Sequence, residues 1–404
     1  MATPIDELDL PTLEMFDPAF MADPFTAVHD LARRTPLARS PFGVIVLRYE
    51  DCQAALRDPR LHQGIQRLQD LQQVTDERFL TRRGKSILTI EGDEHTRLRK
   101  LVSKAFTPRS TDRLRPLMRE VIDGLIDAVA PLGRTDFVAT VSGPYPIPII
   151  CALLGAPTED LPRFDRWAED ILKSLGFNLR NDLPAILTAQ DELDAYMEAL
   201  IERRRHQPGP DLLSDLITAE EQGDRLTHEE LVVMAETLLL AGTDTTRNQL
   251  AIGIWLFAQH PQQWALLGER PELAAAAADE VLRFNGAVRS TLRIATTDVE
   301  LAGAIIPSGT MIIPSFAAAN RDPQFFSDPL RFDITRSSER SHLTFGGGIH
   351  YCLGANLARA ELSESLGVLA RRLPDVALDG EVTWRPPIGI QGPTALPIRF
   401  TPGH

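Results

Sequence analysis

The stretch from Thr227 to Gln259 constrains this chain more than any other. Thr227-His228-Glu229-Glu230 has the form of a capping box, in which a Thr hydroxyl and a Glu carboxylate satisfy the orphan N–H groups of a helix start. The helical pattern then runs to Gln259, before Pro261 stops it. About 32 residues at ~1.5 Å each span roughly 48 Å. Both ends are apolar around most of the circumference, Leu231-Val232-Val233-Met234 on one side and Leu250–Ala258 on the other, which predicts a helix running through the core. Its middle is different: Ala241-Gly242 leads into seven polar residues, Thr243-Asp244-Thr245-Thr246-Arg247-Asn248-Gln249. Burying them costs free energy unless each finds a partner. Either another polar helix or trapped waters supply those partners, or the waist borders a cavity where water and protons move. Gly242 weakens the ladder, and Thr245 stands where its hydroxyl can take the Ala241 carbonyl and open a groove. Asp244 beside it completes an acid–alcohol pair suited to proton delivery.

The remainder reads as helices at about 115–130, 139–155, 158–175, 184–206 and 211–220, punctuated by Gly143-Pro144 and Gln207-Pro208-Gly209-Pro210. Strand-like runs cover Val44–Leu47, Val299–Ile306, Thr310–Pro314 and Leu396–Phe400. The expected class is mainly α with a small β portion. No Gly/Ser-rich linker or internal repeat divides the 404 residues, so one domain over 1–404 is expected, β-rich near 37–60, 299–314 and 380–404, with an α-rich body at 90–295 and 350–373. A net charge of −14 argues against a nucleic-acid binder, and no apolar run is long enough to span a bilayer. The N-terminal residues lack a secretory signal, and three cysteines without a CxxC pair point to a reduced, cytoplasmic protein. Cys52 and Cys151 read as buried structural thiols.

Cys352 reads otherwise. It closes Phe345-Gly346-Gly347-Gly348-Ile349-His350-Tyr351-Cys352-Leu353-Gly354, just before a helical segment at Ala355–Leu373. Three glycines in a row imply unusual dihedrals or a close approach, and a helix N-terminus is expected to favour the thiolate. A thiolate is a metal ligand or a nucleophile. The loop lacks the Lys-Ser/Thr ending of a phosphate cradle, and His350 with Cys352 makes only two of the ligands a zinc site needs.

Phe345-x-x-Gly348-x-x-x-Cys352-x-Gly354 resembles the haem-binding signature of the cytochrome P450 superfamily, the haem-thiolate monooxygenases. Ala241-Gly242-Thr243-Asp244-Thr245-Thr246 resembles the family's oxygen-activation motif, and Glu280-Val281-Leu282-Arg283 its Glu-x-x-Arg motif. Ala319-Asn320-Arg321-Asp322-Pro323 and Glu94-His95-Thr96-Arg97-Leu98-Arg99 look like the soluble bacterial members, and the likeness extends from about Pro24 to Phe400. The resemblance implies a cytochrome P450-like fold with the long helix over haem b, and Cys352 as the ligand of the iron. It puts Phe345, Gly346, Gly354 and Ala241 against the porphyrin, and His95, Arg99, Arg293 and His350 at the propionates. Asp244 and Thr245 become the pair that relays protons to dioxygen. Glu280 and Arg283, which alone read as a surface ion pair, become a buried structural pair joined by a downstream arginine, for which Arg331 is the best match.

The implied reaction is O2-dependent hydroxylation or epoxidation of a small to medium lipophilic molecule, such as a steroid, terpenoid, fatty acid or natural product. The alternative is a peroxide-using peroxygenase or a haem-thiolate protein that binds ligands without turnover; the intact Asp244–Thr245 pair argues for the first. Electrons must come from outside, since no dinucleotide-binding loop follows a strand. Arg97–Arg119 holds eight Lys/Arg against one acid, Asp112. Alone it is a solvated helix face; with the haem assignment it suits docking of an acidic ferredoxin, itself served by an NAD(P)H-dependent ferredoxin reductase. A monomer is expected, with neither nucleic acid nor membrane as a partner. By resemblance the pocket is apolar, lined by Ile87, Leu88, Leu175, Phe177, Leu238, Ala241, Val288, Leu292, Ile388 and Ile390. Arg289 breaks that tone: it suits a carboxylate or phenolate of an acidic substrate, or else a salt bridge or propionate contact. Glu91-Gly92-Asp93-Glu94 is a second departure, standing where relatives commonly carry prolines.

Overall fold

The computed structural model describes residues 2–157, 160–176, 178–221, 226–336, 341–387 and 389–403. The predicted capping box is present in both halves: Thr227 Oγ1 accepts from the Glu230 amide, and Glu230 accepts from the Thr227 amide. From there the central helix runs over His228–Gln259, and most of its residues are buried. Its apolar ends lie in one continuous core with Ile150, Leu193, Met197, Trp264, Val281 and Leu366. The helices Pro146–Leu154, Leu179–His206, Ala274–Phe284 and Ala355–Arg372 pack against it. No helix among the described residues is long and apolar enough to cross a membrane.

Around this mainly helical body lie small sheets. The largest has five strands in the spatial order Leu37–Ser40, Gly43–Val46, Met311–Pro314, Arg293–Ala295 and Leu61–Gln63. Gly43–Val46 and Met311–Pro314 pair in parallel, and the remaining neighbours are antiparallel. That register sets Arg293 opposite Gln63 on one side and Ile312 on the other. A hairpin near the C-terminus pairs Thr383–Trp384 with Pro393–Ala395.

Local punctuation explains where the helices depart from the sequence expectation. The run expected at 139–155 is broken into a π-type turn at Val138–Ser142 and a helix at Pro146–Leu154, because Pro144 and Pro146 have no N–H to continue a ladder. The helix expected from 184 starts at Leu179 and carries Pro184 inside it. A first-turn donor there is met from a distance: the Leu179 amide donates to Gln72 Oε1 at 2.9 Å. Cys52 and Cys151 are buried, and burial pushes both thiols up, that of Cys151 to about 12. Phe177 and Ile388 lie outside the described residues.

Candidate active site

Every one of the seven polar residues at the waist of the central helix has a partner. Thr243 donates to the Leu240 carbonyl (3.0 Å), and Thr246 donates to Glu361 Oε2 (3.3 Å) on the C-terminal helix. Asn248 Nδ2 donates to the Asp244 carbonyl at 2.7 Å. Gln249 reaches across to the segment after Phe284, donating to the Asn285 carbonyl (3.0 Å) and accepting from the Ala287 amide (2.7 Å). Asp244, buried, is held by two guanidiniums. Arg247 donates to Oδ1 from Nε at 2.7 Å; Arg385 donates from Nη1 to Oδ2 at 2.8 Å and from Nη2 to Oδ1 at 3.0 Å. The Thr245 hydroxyl takes the Ala241 carbonyl at 3.0 Å, as its spacing predicts. Ala241 is exposed and Gly242 and Thr245 are half-buried, so an open stripe interrupts the mostly buried middle of the helix. The stripe carries an alcohol and has an anchored carboxylate next to it.

The Cys352 loop is shaped by backbone contacts. The Cys352 amide donates to the Phe345 carbonyl (2.8 Å), and the Gly346 amide to that of Leu343 (2.7 Å). Gly346 and Gly348 adopt φ of +71° and +67°, and a Cβ on Gly348 would stand 2.2 Å from the Leu56 carbonyl oxygen. Phe345 is buried, with the Arg359 guanidinium 4.6 Å from its ring centre. Cys352 is exposed, yet the protein around it desolvates the thiol and pushes its pKa up. The Gly354 amide, Arg99 and Arg359 pull it down without prevailing, so the depressed thiol expected from the helix start is corrected: here desolvation outweighs the helix end. A cation bound at sulfur would oppose that desolvation and favour the thiolate. No cluster of three or more His, Cys, Asp or Glu among the described residues could hold a metal ion. One sulfur without companion ligands fits a metal that arrives with its other ligands already in place, as in haem.

The same surroundings fit acidic groups on such a cofactor. The His95 and His350 rings lie 4.4 Å apart. Burial, then His350 and Arg99, push His95 down to about 4 against the opposing effect of Glu91. Arg99 donates to the Tyr351 carbonyl and is also shifted down by burial. Arg293 is buried, is lowered for the same reason and donates to the Leu292 carbonyl at 2.9 Å. His350 Nε2 sits 2.9 Å from Glu91 Oε1, which also accepts the Gln63 amide. Burial raises the Glu91 carboxyl, but His350 and that amide more than offset it, so its pKa falls below the usual range. Three groups destabilised as cations beside one carboxylate make a site that gains from further anions, which two propionates would supply. Glu91 belongs to this cluster, and its departure from the proline pattern was the only sequence signal for it.

The expected pocket residues divide. Ile87 and Leu238 are buried in the main core, and Val288 and Ile390 form an antiparallel bridge. Leu88 is exposed. Leu292 instead packs with Leu31, Ala38 and Ile45 behind the five-stranded sheet. Arg289 is not brought together with the others either: its guanidinium lies 4.0 Å from the Phe25 ring centre, and Nη2 is 3.4 Å from Asn285 Oδ1. Burial, with Arg321 adding to it, pushes Arg289 down to about 9. The third member of the Glu280–Arg283 pair is also corrected. Arg336 Nε lies 3.2 Å from Glu280 Oε2, whereas the Arg331 side chain is 64% exposed and only its carbonyl accepts from Arg283. In the basic segment, Arg97 pairs with Glu230, and Arg115 and Arg119 with Glu364. Lys100, Lys104, Arg109 and Arg113 are exposed without an ion pair among the described residues, as are Ile349 and Tyr351 beside Cys352.

Three comparisons with known proteins agree. Residues 164–373 match the family model described as Cytochrome P450. Luteothin monooxygenase of Streptomyces thioluteus is 39% identical over 97% of this chain and 96% of its own length. The mycinamicin IV hydroxylase/epoxidase of Micromonospora griseorubida is 37% identical, over 93% and 98%. The crystal structure of CalO2 superposes with a TM-score of 0.91 at 32% identity, covering 98% of this chain and all of that one.

Proposed function

The chain belongs to the cytochrome P450 family, as a monooxygenase carrying haem b, and from that premise we propose how its own residues serve the reaction. Cys352 holds the iron, with Phe345, Gly346, Gly354 and Ala241 against the porphyrin and His95, Arg99, Arg293 and His350 at the propionates. When bound, the haem supplies reductive activation of O2. Asp244 holds and passes protons, and the Thr245 oxygen accepts a hydrogen bond at the open stripe, holding the proton's destination in place. The observation carrying this reading is that pair: Thr245 spends its hydroxyl hydrogen on the Ala241 carbonyl, leaving its oxygen free to accept.

The substrate is a small to medium apolar natural product or similar molecule, hydroxylated or epoxidised against Ile87, Leu238, Val288 and Ile390. A relative named as a hydroxylase/epoxidase supports the reaction type. Electrons come from an acidic ferredoxin, reduced by an NAD(P)H-dependent reductase, that docks on the exposed cations Lys100, Lys104, Arg109 and Arg113 and on Ile349 and Tyr351, exposed beside Cys352. The whole chain acts as one haem domain. The carbon monoxide difference spectrum of the reduced protein tests the ligand, and Cys352→Ala is expected to abolish its red-shifted band. Turnover with a ferredoxin and reductase pair tests the electron source. Activity with peroxide but with no such pair would replace this reading by the peroxygenase one.

A further inference from the structure

The polar waist of the central helix does more than line one wall of the site. Asp244 receives both Arg385 nitrogens, although the two residues are 141 positions apart. Arg385 follows the strand Thr383–Trp384, and its amide donates to the Gly392 carbonyl at 3.1 Å, closing the loop between them. Inside that loop Gln391 Nε2 donates to the Pro386 carbonyl at 2.8 Å. The Gln391 amide donates to Ala287 (2.8 Å), and Ile390 bridges Val288. The loop also rests on the central helix: a Cβ on Gly392 would stand 2.0 Å from Asn248 Oδ1, and Trp384 meets Trp255 edge-on at 4.9 Å. One short loop thus carries a substrate-wall residue, Ile390, and the guanidinium fork that orients the acid.

We propose that Arg385 is a positioning residue that couples the wall at Ile390 to the proton-handling carboxylate of Asp244. The coupling rests on the reading of Asp244 and Thr245 as the proton pair. A planar fork on two carboxylate oxygens fixes rotation about the side chain, whereas Arg247 brings Nε (2.7 Å) and Nη2 (2.6 Å) to the same oxygen, Oδ1. Displacement of Ile390 by a bound molecule moves the loop through the Gln391–Pro386 and Arg385–Gly392 bonds, and the fork turns Asp244 with it. What fills the pocket therefore sets how the carboxylate faces Thr245.

The test uses the holoenzyme and the variants Arg385→Gln, Arg385→Lys, Asp244→Asn and the Arg385→Gln/Asp244→Asn double variant. Amide hydrogen exchange over residues 383–395 is read with and without 4-phenylimidazole as a pocket-filling probe. Arg385→Gln and Asp244→Asn are each expected to speed exchange there by about tenfold, and the double variant no further, as for loss of one shared charge-assisted contact. The solvent isotope effect on ferredoxin-driven O2 consumption is read in parallel. It is expected to change alike in both single variants, with Arg385→Lys intermediate because a point charge restores attraction but not the fork. An altered isotope effect in Asp244→Asn with a wild-type value in Arg385→Gln overturns the coupling alone. No change in Asp244→Asn overturns the proton reading and the coupling with it. Additive exchange rates in the double variant also overturn the coupling.

Discussion

Gly348→Ala is expected to damage the Cys352 loop far more than Gly346→Ala, although both glycines sit in the same turn with nearly the same φ, +67° and +71°. An alanine in the left-handed region costs about 1–2 kcal/mol at either position. At Gly346 that is almost the whole effect, since the nearest atom to a new Cβ is the His350 carbonyl oxygen at 3.9 Å. At Gly348 the new carbon would stand 2.2 Å from the Leu56 carbonyl oxygen and 3.2 Å from its carbon. These are backbone atoms, so no rotamer change relieves the contact, and overpacking of this kind adds about 1–3 kcal/mol. The expected totals are about 1–2 kcal/mol for Gly346→Ala and about 2–5 kcal/mol for Gly348→Ala. Urea unfolding followed by far-ultraviolet circular dichroism measures the difference. The carbon monoxide spectrum then reports whether the loop still presents sulfur to iron: Gly348→Ala should lose much of the thiolate band and Gly346→Ala should keep most of it. Equal stabilities and equal spectra in the two variants would refute the argument that close approach to Leu56, and not φ alone, demands glycine.

Other outcomes follow from buried polar groups. Burial raises the Glu361 carboxyl well above the usual range, with Thr246 only partly opposing it, so the site favours the neutral acid; Glu361→Gln should change unfolding free energy by less than about 1 kcal/mol, and Glu361→Ala should cost about 2–4 kcal/mol. Arg336→Ala removes a buried partner of Glu280 and should cost about 3–5 kcal/mol, while Arg331→Ala should stay within about 0.5 kcal/mol, both read by urea unfolding. His342 is buried and burial lowers its pKa despite Asp279, so the fold favours its neutral form. Because the unfolded histidine takes up its proton near pH 6.5, this contribution is complete above about pH 6.5 and is lost as pH falls below it; His342→Gln should flatten that part of the stability profile measured by thermal melts.

Short-range chemistry was legible in the sequence, and long-range pairing was not. The central helix is bounded by a capping box and a proline, both readable within a few residues, and its ends match the expectation. The Cys352 loop was equally local, and so was the Thr245–Ala241 contact. Strands of two or three residues, such as Ala377–Leu378 and Leu61–Gln63, carry too few side chains to show an alternation. The start of a helix at Leu179 depends on Gln72, which no local rule anticipates. Arg385 and Asp244 meet only because a hairpin folds back over the central helix, and Arg336 displaces Arg331 because the turn between them decides which guanidinium faces inward. The thiol of Cys352 departs from the local expectation for a related reason: the helix end beside it is local, whereas the desolvation that opposes it comes from the surrounding fold.

The grip of Gln249 on Asn285 and Ala287, beside the close approach of Asn248 to Gly392, bears on how such an enzyme can change. Backbone on one side of the proposed pocket is hydrogen-bonded to a side chain of the central helix and on the other packs closely against it, so the spacing of those walls does not depend on Val288 and Ile390, the residues proposed to face the substrate. If Val288 and Ile390 line the pocket as proposed, they can be exchanged for larger or smaller apolar groups and alter the shape of the space while its frame stays put. Gln249 and Gly392 have no such freedom, since a change at either moves a wall. A library built to shift the chemistry toward new molecules gains most from the first pair and should leave the second untouched.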